Sequence, residues 1–225
     1  MGKILLPYLT NARGDLSDIA DDIQNAVLDV EEFYGDRLRQ PIDVIFTRAL
    51  HEIAIPEDGI GGRALSSNFV TIAFTQTSAP SRQLIGEMLC HEVGHAYRWQ
   101  HESEWADSFM QKAILEGISI CLEAEFAKRS KAKTFFLETM QNRYKDIEFC
   151  KTLIRNTMDL WGRNCNYNHE ACFYTGNHSL PRWAGYSLGY MVVSDALSKS
   201  GQNIFDLATW RYSAIEYQFS KMLPR

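Results

Sequence analysis

Two histidines four residues apart, with a glutamate beside the first, are the residues of this 225-residue chain best suited to chemistry: His91-Glu92-Val93-Gly94-His95. On a helix, residues i and i+4 stand one above the other, so both imidazoles reach a single cation. Neutral imidazole nitrogen suits Zn²⁺, which in catalytic sites keeps a fourth position open for water. Glu92 is rotated by about 100° from His91, beside the ligand pair rather than in it. From there a carboxylate can take a proton from water whose pKa the metal lowers towards ~7. Leu84, Ile85, Met88, Leu89, Val93 and Ala96 give the segment an apolar helical stripe, and the histidines continue one edge of it. The plainer alternative is a pair of hydrogen-bonded structural histidines, since half-buried polar groups are costly without partners.

Two residues compete to be the third ligand. His101 gives His91-Glu92-x-x-His95-x5-His101, the ligand spacing of metzincin proteases. The position three residues after His95 is Arg98, however, where those proteases have a turn-forming glycine, and Tyr97-Arg98-Trp99 is compatible with a continuing helix. A continuing helix points His101 away from the metal. Glu116 lies in Ala113-Ile114-Leu115-Glu116-Gly117-Ile118-Ser119, within the next apolar helix. A carboxylate among such neighbours is costly without a cation. Gly117 allows close helix approach at about 1 kcal/mol of helix propensity. Glu116 is therefore the expected third ligand, in the arrangement seen in gluzincins. Glu123, seven residues on and on the same face, is the spare candidate for that ligand, its simplest roles being an acceptor for an imidazole N–H or a solvent-facing charge. Asp107 reads as an ordinary early-helix acid.

The elements that must carry these residues follow from periodicity. Asp15 to Tyr34 has helical apolar spacing over an acidic, solvated face, with Gly35 as a stop. Pro41–Thr47 and Asn68–Thr75 read as short strands. Pro56-Glu57-Asp58-Gly59-Ile60-Gly61-Gly62, between them, reads as a mobile surface loop. Helices are expected over about 81–100, 104–128, 132–155, 184–198 and 204–221, and 161–181 reads as a long irregular segment. Strands first and helices afterwards give an α+β class in one domain over residues 1–225.

Composition narrows the function classes. Forty-five per cent apolar and 23% charged residues exclude low-complexity and disordered classes. A net charge of −5 gives no basic excess for nucleic acid or anionic lipid. No apolar run approaches a membrane span, and the Lys3-Ile4-Leu5-Leu6 run stops at Pro7, too short for a signal-peptide core; a cytoplasmic protein is the expectation. Five cysteines, an odd number without framework spacing, are expected to be reduced, with Cys90 and Cys121 as small core residues. Cys165-x3-His169-x2-Cys172-x5-His178 has the residue types for a second metal, but a spacing of no recognised finger, and incidental thiols are the expectation.

Three strings occur in order: His91-Glu92-Val93-Gly94-His95-Ala96-Tyr97-Arg98-Trp99, Leu115-Glu116-Gly117-Ile118-Ser119 and Gly185-Tyr186-Ser187-Leu188-Gly189-Tyr190. Together they resemble a domain-of-unknown-function family described as predicted zinc-dependent proteases, of gluzincin-like type. The resemblance covers roughly Phe69 to Ser198. It implies a zincin-like fold: a small N-terminal sheet, then a mainly helical bundle carrying HExxH and a backing helix with the glutamate. It also implies zinc held by His91, His95 and Glu116, and a peptide or protein substrate that pairs with an edge strand at Asn68–Thr75. Ser119 departs from the pattern, where alanine is expected.

A zinc hydrolase needs a donor facing the oxyanion. Tyr186, at a helix start and within the family's Gly-Tyr-x-x-Gly-Tyr pattern, is the first candidate, ahead of Tyr190, His178 and Arg182. The leading reading is a zinc-dependent peptidase with Glu92 as general base. The alternative is a catalytically silent zincin-like binding or regulatory protein. Substrate specificity and oligomeric state stay open.

Overall fold

Ile42, Val44 and Phe46 are fully buried, while Asp43, Ile45 and Thr47 between them are partly exposed, the two-residue period of a strand. The computed structural model describes residues 4–48, 54–102, 105–129, 133–164 and 166–220. In it this run is β2 (Ile42–Arg48), inside a four-stranded sheet ordered β1-β2-β4-β3. β1 (Leu5–Thr10) and β4 (Phe69–Phe74) flank β2 in parallel, and β3 (Ile60–Ser66) pairs antiparallel with β4 at one edge. The chain passes from β1 to its parallel neighbour β2 through α1 (Ala20–Tyr34), which Gly35 ends with a positive φ of 53°.

The sequence expectations need correcting here. The run Asn68–Thr75 is an inner strand, and the edge is β3, which takes up Ile60, Gly61 and Gly62 from the expected mobile loop. Glycines are poor strand formers and masked it. β1 was not expected at all, because Pro7 reads as a breaker; on an edge strand its missing N–H is tolerated. The acidic face of α1 is also more than solvated surface. Glu31 accepts the N–H groups of Ile4 and Leu5 at 2.8 and 2.7 Å, and Asp29 pairs with Arg82.

The remaining elements are helical: α2 (Arg82–His101), α3 (Phe109–Ala127), α4 (Phe135–Lys145), α5 (Ile147–Thr157), α6 (Ala184–Ser200), α7 (Ile204–Leu207) and α8 (Tyr212–Ser220). The class is α+β. Two of the expected helices are each split. Asp146 leaves helical dihedrals and caps α5 by accepting the Phe149 N–H at 3.0 Å, so 132–155 is two helices. The last stretch likewise divides into α7 and α8. Glu104, Ala132 and Lys221, at the ends of expected helices, lie outside the described residues. So does Cys165.

Two compact units make up the chain: Met1–His101 with Leu122–Glu138, and Glu102–Cys121 with Thr139–Arg225. The first holds the sheet, α1 and α2. Its core is built from Val44, Phe46, Val70, Ile72, Ile85 and Leu89. The second is helical, and in it α6 packs on α5 and α8. α3 begins in the second unit and ends in the first. Cys90 and Cys121 are buried, unbridged thiols, as expected. Among the described residues, no helix is long and apolar enough to cross a membrane.

Candidate metal centre

Every residue of α2 from Ile85 to Arg98 is buried, so the helix runs through the interior rather than along a surface. His91, Glu92 and His95 sit in this stretch, each 6% exposed. The two imidazole rings lie one turn apart with centroids at 5.1 Å. His101 belongs to the same unbroken helix, and its Nδ1 turns back to the carbonyl oxygen of Tyr97 at 2.9 Å. It is thereby occupied away from the pair.

His91 Nδ1 lies 3.0 Å from Oε2 of Glu123, which is 1% exposed. A carboxylate oxygen accepts, so Nδ1 carries the proton and Nε2 keeps its lone pair for a ligand bond. Glu123 is thus the imidazole acceptor and not the solvent-facing charge. The Phe136 ring makes an edge contact with His91, with centroids 6.1 Å apart. His95 stacks on Trp99.

Glu92 points towards β3. Its Oε2 accepts the Ala64 N–H at 2.7 Å, and the approach is so close that only glycine fits at position 62. Gly62, read as loop punctuation, is therefore a strand residue that admits this carboxylate.

Glu116 lies two turns before Glu123 on α3, so the helix that presents Glu123 to His91 carries both carboxylates on one face. Ligand atoms of His91, His95 and Glu116 all fall within 4.8 Å of one another. They are the one such group of three or more His, Cys, Asp or Glu side chains among the described residues. Two imidazoles and a carboxylate are a donor set of catalytic zinc sites, and an acceptor on the far nitrogen of a ligand histidine is their usual support. The donor chemistry fits zinc. Asp107 is exposed and precedes α3.

In the second unit, α3 and α6 meet backbone to backbone. A Cβ on Gly117 would run into the Gly189 carbonyl, and one on Gly189 would run into that of Ala113. Tyr186 lies three residues before Gly189, on the same face of α6, and packs edge-on against Phe173 and Tyr174 at 5.6 and 6.2 Å. Tyr190 is turned towards Tyr144 instead. The Arg182 guanidinium lies 3.8 Å above the Trp183 ring, and His178 is exposed.

The second metal candidate is not assembled among the described residues. His169 is exposed and stacks on Phe173, whereas Cys172 is buried, and its burial pushes the thiol pKa up, away from the thiolate that binds metal. Burial and the Lys112 charge hold the His169 pKa below its ordinary value, against the opposing charge of Glu116.

No curated protein and no solved structure matches the chain. A family model described as "Predicted Zn-dependent protease (DUF2268)" matches residues 31–216. Spanning most of the chain and enclosing α2, α3 and α6, that match makes the protein a member of this family of predicted Zn-dependent proteases.

Proposed function

We propose that the protein is a zinc-dependent peptidase with a zincin-like site of the gluzincin type, and that His91, His95 and Glu116 hold the metal. The observation that carries the reading is the convergence of these three ligand atoms within 4.8 Å, next to a buried Glu92. When bound, zinc would polarise the scissile carbonyl and lower the pKa of the attacking water.

Glu92 is the general base: it takes the water's proton and delivers it to the leaving amine. The Ala64 amide holds one of its oxygens against β3. Glu123 keeps His91 in the Nδ1–H tautomer. Tyr186 donates its hydroxyl to the developing oxyanion. It is preferred to Tyr190 because it shares the α6 face of Gly189, which abuts α3 beside Glu116. An extended peptide adds to β3, the sheet edge that already meets Glu92, in β-augmentation.

Replacing Glu92 by Gln separates metal binding from chemistry. Glu92→Gln should retain zinc at the wild-type level and lose about 10²–10⁴-fold in turnover of a peptide library. Undiminished hydrolysis by this variant would reject Glu92 as the base. A wild-type chain that binds zinc yet cleaves no peptide would favour the binding-protein reading.

A further inference from the structure

Thr134, just before α4, is fully buried, and each of its polar groups has a specific partner. Its Oγ1 accepts the Leu137 N–H at 3.0 Å, the usual N-cap bond. Its N–H donates to Glu87 Oε2 at 2.7 Å, and the other oxygen of Glu87 accepts from Gln83 Nε2 at 2.7 Å. The hydroxyl proton goes to Glu123 Oε1 at 3.0 Å. Glu123 therefore has one oxygen on Thr134 and the other on His91 Nδ1.

We propose that Thr134 is a positioning residue for His91, acting through Glu123. A glutamate carboxylate rotates about three side-chain bonds, and a single hydrogen bond to an imidazole leaves its plane free to turn. The second bond, from a hydroxyl anchored at a helix start, fixes that plane and with it the direction of the His91 ring. The anchor itself is rigid. Asp58 accepts the Phe135 and Phe136 N–H groups at 2.7 and 3.2 Å, holding the same helix end, and the Phe136 ring makes an edge contact with His91. One helix terminus thus meets the imidazole both through a hydrogen-bonded chain and through an aromatic edge. N-capping alone would not require the hydroxyl to point at Glu123.

Metal affinity enters only through the zinc reading above, whereas the His91 tautomer can be read in metal-free protein. Nitrogen-15 spectra of the metal-free wild type should show His91 protonated at Nδ1, and a Thr134 hydroxyl proton protected from exchange. Thr134→Val should shift His91 towards a mixture with the Nε2–H tautomer and weaken zinc binding about tenfold in chelator competition. Thr134→Ser should restore both to within about twofold. A purely structural cap would lower thermal stability in Thr134→Val and leave tautomer and affinity unchanged, which would overturn the proposal. If Thr134→Val does not fold, the wild-type spectra decide: a rapidly exchanging Thr134 hydroxyl, or His91 protonated at Nε2, overturns it.

Discussion

Gly62 on β3 and Glu92 on α2 are packed so closely that a Cβ on the glycine would collide with the Glu92 Cγ and stand 2.9 Å from its Cδ and Oε1. Gly62→Ala must therefore move the carboxylate of the proposed base. A displacement of about 1 Å costs about 10²-fold in rate. The expected outcome is a fall of that size in kcat with zinc content unchanged, measured by steady-state kinetics beside elemental analysis. Full activity would show that this glycine does not set Glu92.

The contact between α3 and α6 makes a second test. A methyl on Gly189 would be driven into the Ala113 carbonyl, with its carbon atom only 2.7 Å away, so the helices must part. Gly189→Ala should lower stability by about 1–3 kcal/mol in urea titration. It should also weaken zinc binding, because Glu116 lies on the displaced stretch of α3. Destabilisation with unchanged zinc affinity would argue against Glu116 as a ligand.

Tyr186 and Tyr190 are separable by their surroundings. Tyr186→Phe should lower kcat about 10²-fold, the loss typical of an oxyanion donor, with zinc retained. Tyr190→Phe, facing Tyr144, should leave kcat nearly unchanged. The reverse ranking would transfer the role to Tyr190.

Glu87 predicts a pH dependence of stability. The residue is fully buried, and desolvation raises its pKa from 4.5 to about 7 despite hydrogen bonds from Gln83 and Thr134. The folded state holds the proton more tightly than the unfolded one. The stability Glu87 contributes is thus complete below pH about 4.5 and lost as pH rises through about 7. Glu87→Gln, neutral throughout, should gain about 3 kcal/mol on the wild type between pH 4.5 and 9 in metal-free protein. A pH-independent difference would show that Glu87 is not held protonated.

The parts of the site that the sequence revealed are those fixed by local geometry. His91, Glu92 and His95 are read from a single helical turn, and Glu116 stands out as a charge in an apolar helix. The edge strand was hidden because Gly61 and Gly62 read as a loop, whereas Gly62 serves the close approach of Glu92, a contact between α2 and β3 that no local rule reports. Thr134 carries no local signal beyond that of a capping residue. Its partners Glu87 and Glu123 come from other helices, 47 and 11 residues away. Pro7 and Asp146 misled in opposite senses. The proline lies where an edge needs no donor, and the aspartate ends one helical pattern by capping the next.

X-ray absorption at the zinc edge of the purified protein, with metal content measured on the same sample, tests the central claim most directly. The predicted result is about one zinc per chain with two imidazoles and only nitrogen and oxygen neighbours, at about 2.0–2.2 Å, and loss of the metal in His91→Ala. A chain that takes up no zinc, or zinc held by sulfur at about 2.3 Å, would contradict it.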